Sequence, residues 1–155
     1  MFWRKFFPQK MSLMDSKMAR EVLLRHAKSK QNGLLPQENS LKVSTVNEKC
    51  GDQVEIALQF SGDKVISSGF SALACAVCTA SASIWCGLAL GKDQRHLKSL
   101  LCSYTSALQG RGDDDWPFEL DELLCFQHLC TNATRRECAL LPVGAFLQIL
   151  DGLWP

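Results

Sequence analysis

Residues 53–70 read "QVEIALQFSGDKVISSGF", and this stretch decides the fold. Val54, Ile56, Leu58 and Phe60 fall on every second position, the period of a strand with one buried face. "KVISSGF" at 64–70 is a second short alternating run, and "SGD" at 61–63 joins the two as a tight hairpin. Working back, "LKVSTV" at 41–46 alternates as well. Three such runs in succession predict a small antiparallel sheet with one covered face.

The flanks have a different texture. "DSKMAREVLLRHAKSK" at 15–30 reads as a helix with Asp15 or Ser16 as its cap. Met18, Val22, Leu23 and His26 would form its buried stripe, and Gly33 and Pro36 in "QNGLLP" end it. Beyond the third strand, "CAVCTASASIWCGLALG" at 75–91 is Ala- and Ser-rich and stops at a glycine. "KDQRHLKSLLCSYTSAL" at 92–108 is amphipathic and capped by Asp93. "QGRGDDDWP" is a loop by composition, and "FELDELLCFQHLC" at 118–130 a further short helix. "ECALLPVGAFLQILDGL" at 137–153 reads as the last helix, opened by Cys138, with Pro142 tolerated in its first turn. Helix, three strands, then helices is an α+β order, with the helices on one face of the sheet.

Length and charge narrow the classes. The 155 residues, 46 % hydrophobic and 21 % charged, suit one globular domain. A net charge of +1 gives no global attraction to nucleic acid. Residues 1–30 hold eight of the 17 Lys and Arg and two of the 16 Asp and Glu. That basic start fits either a solvated helix or a docking face for an acidic partner. No apolar run reaches membrane-spanning length, so no membrane role is expected. "MFWRKFFPQK" is a poor secretory signal, Met11 or Met14 could be the true start, and a cytoplasmic location is the default expectation. There, the eight cysteines are expected as thiols or metal ligands.

Three of the cysteines sit where elements meet. Cys50 is on the turn after the first strand, two residues before Asp52. Cys75 starts a helix and Cys138 is placed at the start of another, where the helix N-terminus favours a thiolate. Three thiolates and a carboxylate would make a four-coordinate site acceptable to zinc. The spacing matches no standard zinc-finger pattern, so from spacing alone unrelated cysteines buried as small hydrophobes are the favoured reading at this point. Cys78 makes a C-x-x-C with Cys75 and is an accessory thiol or a buried small residue. Cys86, Cys102, Cys125 and Cys130 read as core or incidental, and His26, His96 and His128 lack ligand spacing. Neither the "RGD" at 111–113 nor the acids of "DDDWPFELDE" have the spacing of a site.

"CGD" after a short strand, then "CAVCTASAS", then "RRECAL" before the last helix resembles the IscU/NifU-like, or U-type, scaffold family of iron–sulfur cluster assembly. "REVLLRHAKSKQNG" is similar to the family's first helix and the loop after it, and the likeness spans roughly residues 15–150. The "ASAS" at 80–83 is its most specific piece. Two features resemble the SufU branch. Glu137 stands where the main scaffold branch has a histidine, and 62 residues separate Cys75 from Cys138, which leaves room for an insertion around 109–130. Arg135 also fits that branch.

The resemblance implies a SufE/NifU-like α+β fold over 15–151, a flexible extension at 1–14, and a zinc site made by Cys50, Asp52, Cys75 and Cys138. It implies iron–sulfur cluster assembly, at most as a zinc-dependent sulfurtransferase, with a SufS-type cysteine desulfurase and downstream assembly machinery as partners. A partner histidine would displace Cys50 from zinc, and the freed thiolate would take persulfide sulfur. Arg135 and Arg136 would border the partner surface. A scaffold for a transient [2Fe–2S] cluster on the same ligands and a diverged interaction module with a structural metal site are the alternatives. The chain departs from the family pattern at three places: no proline follows Asn47, Ala74 replaces a glycine, and Glu137 replaces a basic residue. The first predicts a looser turn before Cys50, and the last a raised thiol pKa at Cys138.

Overall fold

The computed structural model describes residues 16–28, 39–109, 122–123, 125–126 and 132–152. The extension expected at 1–14 and most of the insertion expected around 109–130 lie outside the described residues.

The three alternating runs pair as anticipated. Strands β1 (Leu41–Asn47), β2 (Asp52–Ser61) and β3 (Lys64–Leu73) form an antiparallel sheet in the order β1-β2-β3. Gly62, at φ +62°, supplies the left-handed residue of the β2–β3 hairpin. Val43, Ile56 and Phe70 lie in one cross-strand row, and Thr45, Val54 and Ala72 in the next, all on the covered face. The opposite face carries Ser44, Glu55 and Ser71 in one row and Val46, Gln53 and Leu73 in another, and Leu73 there is 78 % exposed. A register shift between Gln59 and Phe60 leaves Ile66 out of the pairing and turned to solvent.

Helices cover the first face. They are α1 (Ser16–Lys28), α2 (Ala76–Ala89), α3 (Gln94–Leu108) and α4 (Ala133–Gly152). Helices α2 and α4 pack directly on the strands, α1 on α2, and α3 on α4. The buried stripe of α1 differs from expectation at one position. Ala19 is buried and Met18 is exposed, so the stripe is turned by one residue there. Val22, Leu23 and His26 are half-buried as predicted.

The "ASAS" segment explains the central place of α2. Ala80 and Ala82 have no exposed surface and keep the neighbouring backbones near. The two serines point to different neighbours. Ser81 Oγ donates to the carbonyl of Ala139 in α4 at 2.6 Å. Ser83 Oγ meets His26 Nδ1 of α1 at 2.9 Å, and the other ring nitrogen of His26 meets the Glu122 carboxylate. Beneath them, Trp85 and Tyr104 pack edge to face with ring centroids 5.4 Å apart, bordered by Phe126 and Phe146. Asp93 caps α3 by accepting the His96 N–H at 2.7 Å.

Helix α4 requires a correction. It begins at Ala133, so Cys138 does not open it and Pro142 is interior to it. Asn132 is the physical reason: its Oδ1 accepts the Arg135 N–H at 3.1 Å and its carbonyl accepts the Arg136 N–H at 3.0 Å, which starts the helix early. The N-terminal dipole argument therefore does not apply to Cys138. Among the described residues, no helix is long and apolar enough to cross a membrane.

Candidate metal centre

The candidate site forms where one end of the sheet meets α2 and α4. After Asn47 the chain turns back through Gly51, at φ +78°, whose N–H donates to the Asn47 carbonyl at 2.8 Å. The Asn47 side chain accepts the Lys49 N–H at 3.0 Å. This Asx contact closes the turn without the family's proline. The turn leaves Cys50 exposed and sets Asp52 as the first residue of β2, buried at 5 % exposure.

Cys75 is the N-cap of α2, in extended conformation, just past the end of β3. Its N–H donates to Asp52 Oδ1 at 2.9 Å, so the carboxylate satisfies one of the donors exposed at the start of α2. Cys138 reaches the same point from the second turn of α4 and is 5 % exposed. The ligand atoms of Cys50, Asp52 and Cys138 all lie within 4.8 Å of one another. The Cys75 thiol lies outside that mutually close trio, but it is near enough to the Asp52 carboxylate and the Cys138 thiol to shift the pKa of both. Three of the four expected donors thus come together, and Cys75 borders them through its N–H bond to Asp52.

The electrostatics define what is missing. Burial pushes the Cys138 thiol well up, and Cys75 and Asp52 beside it push it further. Glu137, expected to do this, instead faces Lys49 at 3.6 Å. Burial also raises Asp52, but the Cys75 N–H and the three thiols outweigh it and hold the carboxyl below its ordinary value. Asp52 Oδ2 is buried and has no hydrogen-bond partner. An orphaned anionic oxygen beside three sulfurs is a donor set suited to a divalent cation, which would reverse the upward push on the thiols. The residues present fit a metal ion.

The other sequence candidates fall elsewhere. Cys78 is fully buried on the core side of α2, where burial and then the Asp52 charge raise its thiol. Cys86 and Cys125 are in the core, and Cys102 is exposed on α3. Arg135 is exposed one turn ahead of Cys138. Cys130, His128 and residues 111–117 lie outside the described residues. Asn47 and Ser81 had no assigned role in the sequence. The Asx pattern at 47–49 was a readable signal for the first, whereas the partner of Ser81 is 58 residues away.

A three-stranded sheet covered by helices, with thiols and a carboxylate gathered at its end, defines an α+β thiolate scaffold. The chain belongs to the NifU-like N-terminal domain family, whose model matches residues 18–111 and so includes Cys50, Asp52 and Cys75. This is a family of iron–sulfur cluster assembly scaffolds. The zinc-dependent sulfurtransferase SufU of Bacillus subtilis is 29 % identical over 123 residues, 79 % of this chain and 82 % of that protein. A structure described as an iron–sulfur cluster assembly scaffold protein for the SUF system, from Fervidobacterium islandicum AW-1, superposes with a TM-score of 0.78 at 22 % identity. It covers 84 % of this chain and 94 % of that one. The N-terminal part of a NifU-like protein from Brucella abortus superposes at 0.77 with 18 % identity, over 84 % and 90 % of the two chains. These two likenesses establish the shared fold.

Proposed function

We propose that this protein is a zinc-dependent sulfur acceptor that works with a SufS-type cysteine desulfurase in iron–sulfur cluster assembly. The observation that carries the reading is a buried carboxylate with one oxygen unpartnered, within 4.8 Å of the Cys50 and Cys138 thiols and bonded to the Cys75 N–H. The name of the Bacillus subtilis relative supports zinc and sulfur transfer. Cys50, Asp52, Cys75 and Cys138 would hold the ion. Zinc would keep the thiols as thiolates near neutral pH, without redox change and with exchangeable ligands.

The four residues divide the work by how tightly each is held. Asp52 and Cys138 are buried, and Cys75 is tied through its N–H to Asp52. Cys50 is exposed on a turn, so it is the donor free to leave and is assigned as sulfur acceptor. Its thiolate attacks the outer sulfur of a desulfurase persulfide. A new S–S bond forms on Cys50, the persulfide S–S bond breaks, and the desulfurase cysteine departs as thiolate. Arg135, with Arg136 beside it, would border the partner surface.

Desulfurase turnover is expected to rise when the protein is added and to stay at the basal rate with Cys50→Ala. Flat turnover with the wild-type protein would overturn the transfer role. Family membership also favours a second reading, a [2Fe–2S] scaffold on the same donors. Anaerobic reconstitution that leaves zinc bound and gives no visible absorbance would count against it. The retained donor set speaks against a metal-free interaction module.

A further inference from the structure

Pro142 stands four residues after Cys138, inside α4. A proline has no N–H, and its ring crowds the carbonyl four residues back. The carbonyl of Cys138 therefore loses its helical donor at the turn that presents its sulfur. A helix with that gap does not fix the position of Cys138 by itself. Two contacts from outside hold the same turn. Ser81 Oγ, on a fully buried side chain of α2, donates to the Ala139 carbonyl at 2.6 Å. Thr45 Oγ1 of β1 donates to the Leu141 carbonyl at 3.3 Å.

We infer that Ser81 is a positioning residue for Cys138, required because Pro142 opens the helix there. Asp52 and Cys75 are fixed to each other by the 2.9 Å bond between them, whereas Cys138 arrives from a separate helix. Ser81 lies on the same helix that Cys75 caps, so its hydroxyl ties α4 to the frame that carries Cys75. Loss of that tie leaves the Cys138 sulfur without a fixed distance to the other three donors. This inference rests on Cys138 being a metal donor.

The test compares Ser81→Ala with Ser83→Ala. Both remove a buried hydroxyl from α2, but Ser83 points to α1. Zinc affinity is measured by competition with a chromogenic chelator. Ser81→Ala is expected to weaken zinc about tenfold, as loss of a residue that orients a ligand does. Ser83→Ala is expected to change it by less than about threefold. Equal losses would make Ser81 merely structural and overturn the inference. In a Pro142→Ala background the helix regains its N–H, and the effect of Ser81→Ala should shrink; an unchanged effect would remove Pro142 from the account. Thr45→Ala, at a half-buried site, serves if Ser81→Ala does not fold; about threefold weaker zinc is expected, and no change would overturn the inference. Iodoacetamide labelling of Cys138 in metal-free protein separates the two readings. If the wild-type protein binds no zinc, the metal reading fails, while faster labelling in Ser81→Ala than in Ser83→Ala would still support positioning, and equal labelling would overturn it.

Discussion

Asp52→Asn is the substitution that most sharply separates a metal donor from a structural carboxylate. The amide oxygen can still accept the Cys75 N–H that Oδ1 accepts at 2.9 Å, and the shape is kept. What is lost is the negative charge and the unpartnered, buried Oδ2. Without metal, two effects oppose each other. The charge-assisted bond to the Cys75 N–H becomes a neutral one, about 1 kcal/mol weaker, while the desolvated charge beside three thiols is removed. Metal-free stability at pH 7 is therefore expected to move by less than about 1 kcal/mol. With zinc the outcome differs. A tenfold weaker site at a free metal concentration about 100 times the wild-type Kd lowers the ligand-induced stabilisation from about 2.7 to about 1.4 kcal/mol. For a chain of this size that is about 3–5 °C of the zinc-induced rise in Tm. The assay is thermal unfolding with and without zinc, for both proteins. Equal Tm shifts in the two conditions would refute a donor role for Asp52. Acid adds a second readout. Asp52 has its folded-state pKa depressed below the ordinary 3.8, so its contribution is present above that value and lost as pH falls below it. The metal-free Asn variant should lose that part of the acid sensitivity.

Four further outcomes follow from the structure. Thiol titration of the metal-free folded protein with a disulfide reagent should modify Cys50, Cys75 and Cys102 first, since these are exposed. Cys78, Cys86 and Cys125 should stay silent, because burial raises all three thiols, Cys125 to about 12; zinc should then protect Cys50 and Cys75 but leave Cys102 reactive. Trp85→Ala, at a site with no exposed surface and an edge-to-face Tyr104, is expected to cost about 3–5 kcal/mol in urea unfolding. Asp93→Ala removes the cap that accepts the His96 N–H and should cost about 1 kcal/mol without changing metal binding. Reversing Arg135 and Arg136 to Glu should weaken desulfurase binding in a pull-down or titration, and unchanged affinity would take them out of the interface.

The sheet was legible because alternation is local: Val54, Ile56 and Leu58 are buried as their spacing predicts, and the Gly62 turn fixes their register with β3. Asp93 was readable as a cap for the same reason. The start of α4 was not, because Pro142 suggested a helix beginning nearby and outweighed Asn132, a good N-cap six residues before Cys138. The order of cysteines around "CGD" and "ASAS" pointed to the proposed donor set through resemblance, whereas spacing alone favoured unrelated cysteines. What no local pattern carries is how the donors are held. The Asp52 bond to the Cys75 N–H, the Ser81 bond to α4 and the His26 bridge to Ser83 all join residues 23 to 58 positions apart. They exist only once the helices have packed.

The donors enter the fold in a fixed temporal order. A ribosome releases Cys50, Asp52 and Cys75 with the hairpin and α2, while Cys138 emerges 63 residues after Cys75. A nascent chain can thus close its sheet with three donors in hand and nothing to seal them. On the proposed metal role, full-affinity capture is then a late event in maturation, gated by the docking of the final helix.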